Sequence, residues 1–368
     1  MNLRIPGPTP VPQEVLSALS GPMINHRGPE FAAIQNKVTE GLKKVFGTKN
    51  DMIILTSSGT GGLEAAMANT LSPGERVVVI SIGEFGERLI KIAKAYGADV
   101  VPVSFPYGSA ADPDKVRQVL KSETKVNTVY LTHNETSTGV TNDLRSLAKV
   151  IKGEFNKTIV VDGVSSISSL PLPVDEWEID IAISGSQKGW MTPPGLAMLS
   201  VSPRAWETIA KAKCPRFYFD LKMAKESADK GETPWTPAIS IFYGLNTGLD
   251  LLFKEGLGSV YERHASIGAH TRQAVKAMGL QLFADERYAS NTVTAIKIPE
   301  GVDWKAFNTT MRKEHGVVLG GGQGAIAGKI FRIGHLGFFT QKEIDDCLAA
   351  VKTVMGTMGG LKAPARSA

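Results

Sequence analysis

Cysteine is scarce: Cys214 and Cys347 are the only two in 368 residues. Two cysteines cannot build a disulfide framework, and neither stands with a histidine at metal-ligand spacing. A stapled fold and a zinc site are therefore not expected, and a reducing compartment is. Long apolar runs are also missing. No stretch of 18 uninterrupted apolar residues occurs, which argues against a membrane-spanning helix. The opening MNLRIPGPTPVP holds no apolar core of the kind a secretory signal needs, so a cytoplasmic protein without a membrane partner is expected. Charge of one sign is lacking as well: 41 basic and 36 acidic residues are scattered along the chain, with a weak basic excess at Lys211 to Arg216. That pattern gives no nucleic-acid footprint. Internal repeats are absent.

What is present is enough apolar sequence, 42% of 368 residues, for more than one core. Between residues 50 and 200, β-branched apolar runs alternate with helical patterns. The runs are Met52 to Leu55, Arg76 to Ile82, Val100 to Phe105, Val126 to Thr132, Thr158 to Val161, Asp180 to Ser184 and Leu196 to Val201. Helices are expected at Gly62 to Leu71, Glu84 to Tyr96, Asp112 to Lys121 and Asn142 to Lys152. Such alternation predicts an α/β fold built on a seven-stranded, mostly parallel sheet. A long helical stretch is expected from Ile241 to Met278, crossing a glycine break at Glu255 to Gly258. It is followed by strand (Thr292 to Ile298), helix (Trp304 to His315), strand (Val317 to Leu319), glycine loop, strand (Lys329 to Ile333) and helix (Gln341 to Met355). The domains expected are a large one over residues 21–245 and a smaller α/β one over 246–357. Residues 1–20 would lie over the active site, and residues 358–368 would form a frayed tail.

Three places could carry chemistry. Thr56-Ser57-Ser58-Gly59-Thr60-Gly61-Gly62 follows the first run and opens a helix, where free backbone N–H groups and hydroxyls can cradle a phosphate. Taken alone it is equally a tight turn with a capped helix. Asp162 ends an apolar strand, at the edge where open α/β sheets place ligands. A carboxylate there can pair with a protonated ring nitrogen, or simply form a turn. Lys188, after Ser184-Gly185-Ser186-Gln187, ends the next strand. A loop lysine is ordinarily solvated, but a desolvated one becomes a nucleophile near neutral pH. The order of phosphate loop, Asp and Lys in the chain favours the functional alternative for all three.

With these residues in hand, the chain resembles the class V aminotransferases, fold-type I enzymes that use pyridoxal 5′-phosphate (PLP), in the group of alanine–glyoxylate, serine–glyoxylate and serine–pyruvate aminotransferases. The motifs that agree in order are Pro6-Gly7-Pro8-Thr9-Pro10, Ser58-Gly59-Thr60, Gly83-Glu84-Phe85-Gly86-Glu87-Arg88 and His133-Asn134-Glu135-Thr136-Ser137-Thr138-Gly139. They continue with Val161-Asp162, Ser184-Gly185-Ser186-Gln187-Lys188, Thr236-Pro237 and Phe331-Arg332-Ile333-Gly334. The resemblance implies that Lys188 binds PLP and moves the proton at the substrate α-carbon. It further implies that Asp162 pairs with the ring nitrogen, that Val164 and Phe85 pack on opposite ring faces, and that Thr136 lies near the ring hydroxyl. Ser58, Gly59, Thr60 and Gln187 would hold the phosphate. Arg332, and backbone near Gly7, would grip the substrate carboxylate. Thr236 would reach the partner subunit's phosphate in a homodimer. Two positions depart from the pattern: Phe85 stands where relatives often carry Trp or Tyr, and Thr233 where some carry Tyr.

The activity implied is transfer of an amino group from alanine or serine to glyoxylate or pyruvate. Aspartate and ureidoglycine also serve as donors in the wider family. A cysteine desulfurase or other lyase is disfavoured, because neither cysteine lies in the glycine loop before Arg332. An interaction subunit that retains the fold, as in relatives described as hydrogenase components, is disfavoured by intact Lys188 and Asp162. A nicotinamide dehydrogenase rests on an incomplete glycine pattern alone.

Overall fold

The computed structural model describes residues 1–361. In chain order the elements are β1 (Asn2–Arg4), α1 (Gln13–Ala18), α2 (Pro29–Phe46), β2 (Asp51–Ser57), α3 (Gly59–Thr70), β3 (Arg76–Ser81), α4 (Glu84–Ala95), β4 (Asp99–Ser104), α5 (Pro113–Ser122) and β5 (Thr128–Thr132). A two-stranded ribbon, β6 (Asn134–Glu135) and β7 (Val140–Thr141), leads to α6 (Leu144–Ala148), β8 (Thr158–Asp162), β9 (Ile181–Gly185), β10 (Gly195–Val201), α7 (Pro203–Lys211), α8 (Leu221–Ala228), α9 (Ile239–Glu255) and α10 (Leu257–Ala277). The last elements are β11 (Val293–Lys297), α11 (Trp304–Glu314), β12 (Val317–Gly321), β13 (Ile330–Gly334) and α12 (Gln341–Thr357).

The seven-stranded sheet runs β2-β10-β9-β8-β5-β3-β4, and β10 alone is antiparallel to its neighbours. Its central strands are buried on both faces, and alternate residues serve different cores. In β3, Val78 and Ile80 face the core that holds α2, α5 and α9, while Val77 and Val79 face the core beneath α3 and α4. The edge strand β4 carries Pro102, whose missing N–H is tolerable at an edge. A second sheet, β1-β12-β13-β11, packs with α10, α11 and α12 around a third core.

Helix ends follow local chemistry. Asp112 caps α5 by accepting from Asp114 N at 2.9 Å with Pro113 at the first position, and Thr340 with Glu343 forms a capping box on α12. The stretch expected as one helix from Ile241 to Met278 is two, because Gly256 adopts φ 87° between them. The helix expected over Asn142 to Lys152 is a short α6 that passes into a π-helical turn, Lys149–Glu154. Helices α1, α2, α7 and α8, strand β1 and the β6–β7 ribbon went unanticipated. Met358 and Leu361, at the start of the segment expected to fray, pack against the third core. The remainder of that segment, residues 362–368, lies outside the described residues.

Trp190, two residues after Lys188, anchors the loop that carries it. Its ring is fully buried, stacks on Phe46 with centroids 6.0 Å apart, and donates from Nε1 to Ser184 Oγ at 2.8 Å. Trp190→Ala should cost about 3–5 kcal/mol through the cavity it leaves, read as a lower midpoint in equilibrium urea unfolding. A cost under about 1 kcal/mol would contradict this packing account.

Candidate active site

Because β2, β9, β8, β5 and β3 are mutually parallel, their carboxyl ends share one edge. Ser57 and Gly185 meet the start of β10 there, and Asp162 registers with Thr132 on one side and Ile183 on the other. The loops leaving this edge bring together nearly all the residues singled out above.

Helix α3 begins at Gly59, and Ser58 at its N-cap makes no side-chain capping bond. A Cβ on Gly59 would lie 2.9 Å from Val164 Cγ2, and one on Gly185 would lie 3.0 Å from Gln187 Oε1 and 3.2 Å from Gly59 Cα. Hence Val164, Gln187 and the helix start are in mutual contact, an approach that side chains at either glycine would block. Gln187 Oε1 is buried without a partner.

Asp162 is buried and accepts one hydrogen bond, from Val164 N at 3.0 Å to Oδ1. Burial pushes its pKa up to about 6, while the charges of Arg88 and Lys188 pull the other way. The Lys188 amine donates to Pro6 O at 2.7 Å. A Cβ on Gly7 would come 2.5 Å from Nζ, so only glycine leaves the amine its place. Desolvation lowers the Lys188 pKa to about 8, helped by Arg332 and Arg88 and opposed by Asp162. The N-terminal segment is pinned here: Thr9 N donates to Gln187 O at 3.1 Å and Thr9 Oγ1 to Lys188 O at 2.9 Å.

Arg332 enters from β13. Its Nε and Nη2 donate to Gly321 O at 3.0 and 2.7 Å, and its Nη1 to Thr136 O at 2.8 Å. Burial lowers its pKa to about 10, which leaves it charged at neutral pH. Gly320, opposite Arg332 in the ladder, makes room for the guanidinium and for Pro6.

Glu135 had no assigned role in the sequence, and the structure gives it one. Its fully buried carboxylate accepts from Phe85 N and Gly86 N at 3.1 Å each, and from Ser137 N at 3.1 Å and Ser137 Oγ at 2.6 Å. It thereby caps α4, whose own N-cap, Gly83, has no side chain to do so. Burial outweighs these donors and pushes its pKa up to about 7. The signal was a lone acidic residue inside the polar motif His133 to Gly139, next to a run of hydroxyl residues.

Thr236 makes no hydrogen bond among the described residues. It is exposed, in a segment whose Ala238 N donates to Thr56 Oγ1 at 3.0 Å. The Thr233 hydroxyl donates to Trp235 O at 2.7 Å, and Trp235 Nε1 to Tyr218 O at 3.1 Å.

A family model described as aminotransferase class-V matches residues 2–345. The chain belongs to the class V aminotransferases. Among its relatives, this class V chain is 42% identical to a protein named soluble hydrogenase 42 kDa subunit from Anabaena cylindrica, covering 98% of this chain and 94% of that one. It is 38% identical to a serine–glyoxylate aminotransferase from Methylorubrum extorquens, covering 95% and 90%. Among solved structures, an alanine–glyoxylate aminotransferase from Nostoc sp. superposes with a TM-score of 0.92 at 32% identity, covering 96% and 94%. The fold-type I architecture expected for the class V family is thus the observed one. Neither cysteine offers a desulfurase nucleophile: Cys214 Sγ lies 3.4 Å from Tyr96 O, and burial pushes the Cys347 thiol up to about 12. Among the described residues no helix is long and apolar enough to cross a membrane, and no cluster of metal-ligating side chains occurs.

Glu135→Ala strands three backbone N–H groups and should cost about 3 kcal/mol, read by urea unfolding. Because Glu135 and Asp162 are held above their unfolded pKa values, stability is lost as pH rises from about 4 through about 7. Glu135→Gln removes one of those groups and should flatten that fall; a pH–melting curve parallel to the wild type would contradict the assignment.

Proposed function

We propose that this class V aminotransferase holds pyridoxal 5′-phosphate at Lys188. It would transfer an amino group from a small L-amino acid, alanine or serine, to glyoxylate or pyruvate in a ping-pong cycle. The observation that carries this reading is the Lys188 amine, desolvated between Asp162 and Arg332 at the carboxyl edge of the sheet. The glyoxylate-using relatives support the acceptor.

The residues fit the cofactor. One Asp162 oxygen has no protein donor and suits a protonated ring nitrogen. The Gln187 NH2 makes no hydrogen bond among the described residues and is the part of that amide able to donate to a phosphate, while the Ser58 hydroxyl is unused by its helix. With Gly59 and Thr60 they make a phosphate cradle. Phe85 and Val164 would flank the ring, and Thr136 would lie at its hydroxyl. When bound, the cofactor supplies an electron sink for the pair left at the substrate's α-carbon.

The Lys188 amine would serve as the base that takes the proton from the substrate's α-carbon and as the acid that gives one back. Asp162 would hold the ring nitrogen in its protonated form through its free carboxylate oxygen. Arg332 has five N–H donors and spends three on carbonyls. The two that remain can grip a substrate carboxylate while the Gly7 backbone closes over it. A homodimer would bring the partner's Thr236 to the phosphate. The relative named as a hydrogenase subunit supports a second reading, a partner subunit without turnover; a stable co-purifying protein and inactivity on every donor would favour it.

The decisive experiment is a donor screen with glyoxylate and pyruvate as acceptors, following the visible absorbance of the bound cofactor. Lys188→Ala should lose both that band and amino transfer; a coloured, active variant would end the proposal. The free amine gains population as pH rises through about 8, so capture of added cofactor by the apo protein should accelerate over that range. A rate flat from pH 6 to 9, about three units around that midpoint, would contradict it.

A further inference from the structure

The phosphate cradle has a charge problem. A bound phosphate ester brings nearly two negative charges, whereas residues 56–62 contain no lysine or arginine, and the helix dipole offers only about half a positive charge. A cation does reach this loop from outside it: Arg88, on the first turns of α4. Its Nη1 donates to Thr60 Oγ1 at 3.2 Å, and its guanidinium lies over the Phe85 ring, 4.6 Å from the centroid. Among the described residues no carboxylate pairs with it, so its charge is uncommitted within the protein.

Building on the cofactor reading above, we propose that Arg88 is a further cofactor-binding residue: its guanidinium, fixed by the Thr60 hydroxyl and the face of Phe85, pairs with the cofactor's phosphate. The side chain covers one face of the Phe85 ring and leaves the opposite face for the pyridine. The same cation is felt at Asp162 and at Lys188, where it favours the carboxylate and the free amine. Arginine suits the position better than lysine, because a planar fork can stack on Phe85 and still present N–H groups to both Thr60 and a phosphate oxygen.

The test compares two probes on the apo protein, pyridoxal 5′-phosphate and pyridoxal, which lacks the phosphate. Equilibrium affinities are measured by absorbance and by quenching of tryptophan fluorescence. Arg88→Gln should weaken pyridoxal 5′-phosphate by about thirtyfold, the scale of one charge-assisted hydrogen bond, while changing pyridoxal by less than about threefold. Arg88→Lys should recover part of the discrimination, since it keeps the charge and loses the fork; it also serves if the glutamine variant does not fold. Equal losses for both probes would show that Arg88 only supports Phe85 and the loop, and would overturn the proposal, as would unchanged affinity in either variant. A wild-type protein that binds neither probe, or does not prefer the phosphorylated one, would instead overturn the cofactor reading itself.

Discussion

A guanidinium inside a strand whose five residues are all buried has to be solvated by the protein, and Arg332 sits in such a strand. Its solvation comes from backbone carbonyls. Gly321 O belongs to the neighbouring strand of the small sheet, but Thr136 O belongs to the loop at the edge of the large one. One charge therefore requires the two sheets to keep a fixed relation, because withdrawing either carbonyl would leave a buried donor unpaired. The carbonyls neutralise no charge, so the cation keeps its attraction for an anion from outside.

The same loop carries a buried carboxyl group. Glu135 precedes Thr136 and holds the first turn of α4, and with it Phe85. From β13 to Arg332, to Thr136 and Glu135, to Phe85, the contacts form a continuous path of hydrogen bonds and chain. Phe85 then meets Arg88, which returns to Thr60 at the head of α3. The site is thus tied together by one line of contacts running from β13 to the head of α3. Few of its members are free to shift alone, the condition a preorganised site needs.

Much of this was readable in advance. All seven strands of the large sheet announced themselves as β-branched runs, most fully in the central ones, where burial on both faces leaves little room for polar residues. The place of Asp162 and Lys188 at the carboxyl edge was readable because Asp162 directly follows one such run and Lys188 stands four residues beyond another. Strand β1 was not readable: three residues, Asn2–Arg4, carry no periodicity, and their place depends on a partner far along the chain. The π-helical turn at Lys149–Glu154 also has no local marker. Glu135 and Arg88 stood within recognised motifs, yet their work is done through space, Glu135 on backbone 49 and 50 positions away. Spacing along the chain does not encode such contacts. Thr236 illustrates the converse, a residue singled out by motif whose side chain makes no hydrogen bond among the described residues.

Strand β1 pairs in parallel with β12, Asn2 beside Val317, and continues directly into Pro6 and Gly7 against the Lys188 amine. On the ribosome the chain's first strand therefore emerges long before the strand that receives it. The large sheet can be assembled while β1 still waits, and the lysine gains its cover only after the closing segments arrive. Completion of the reactive pocket is, in this topology, among the last events of biosynthesis.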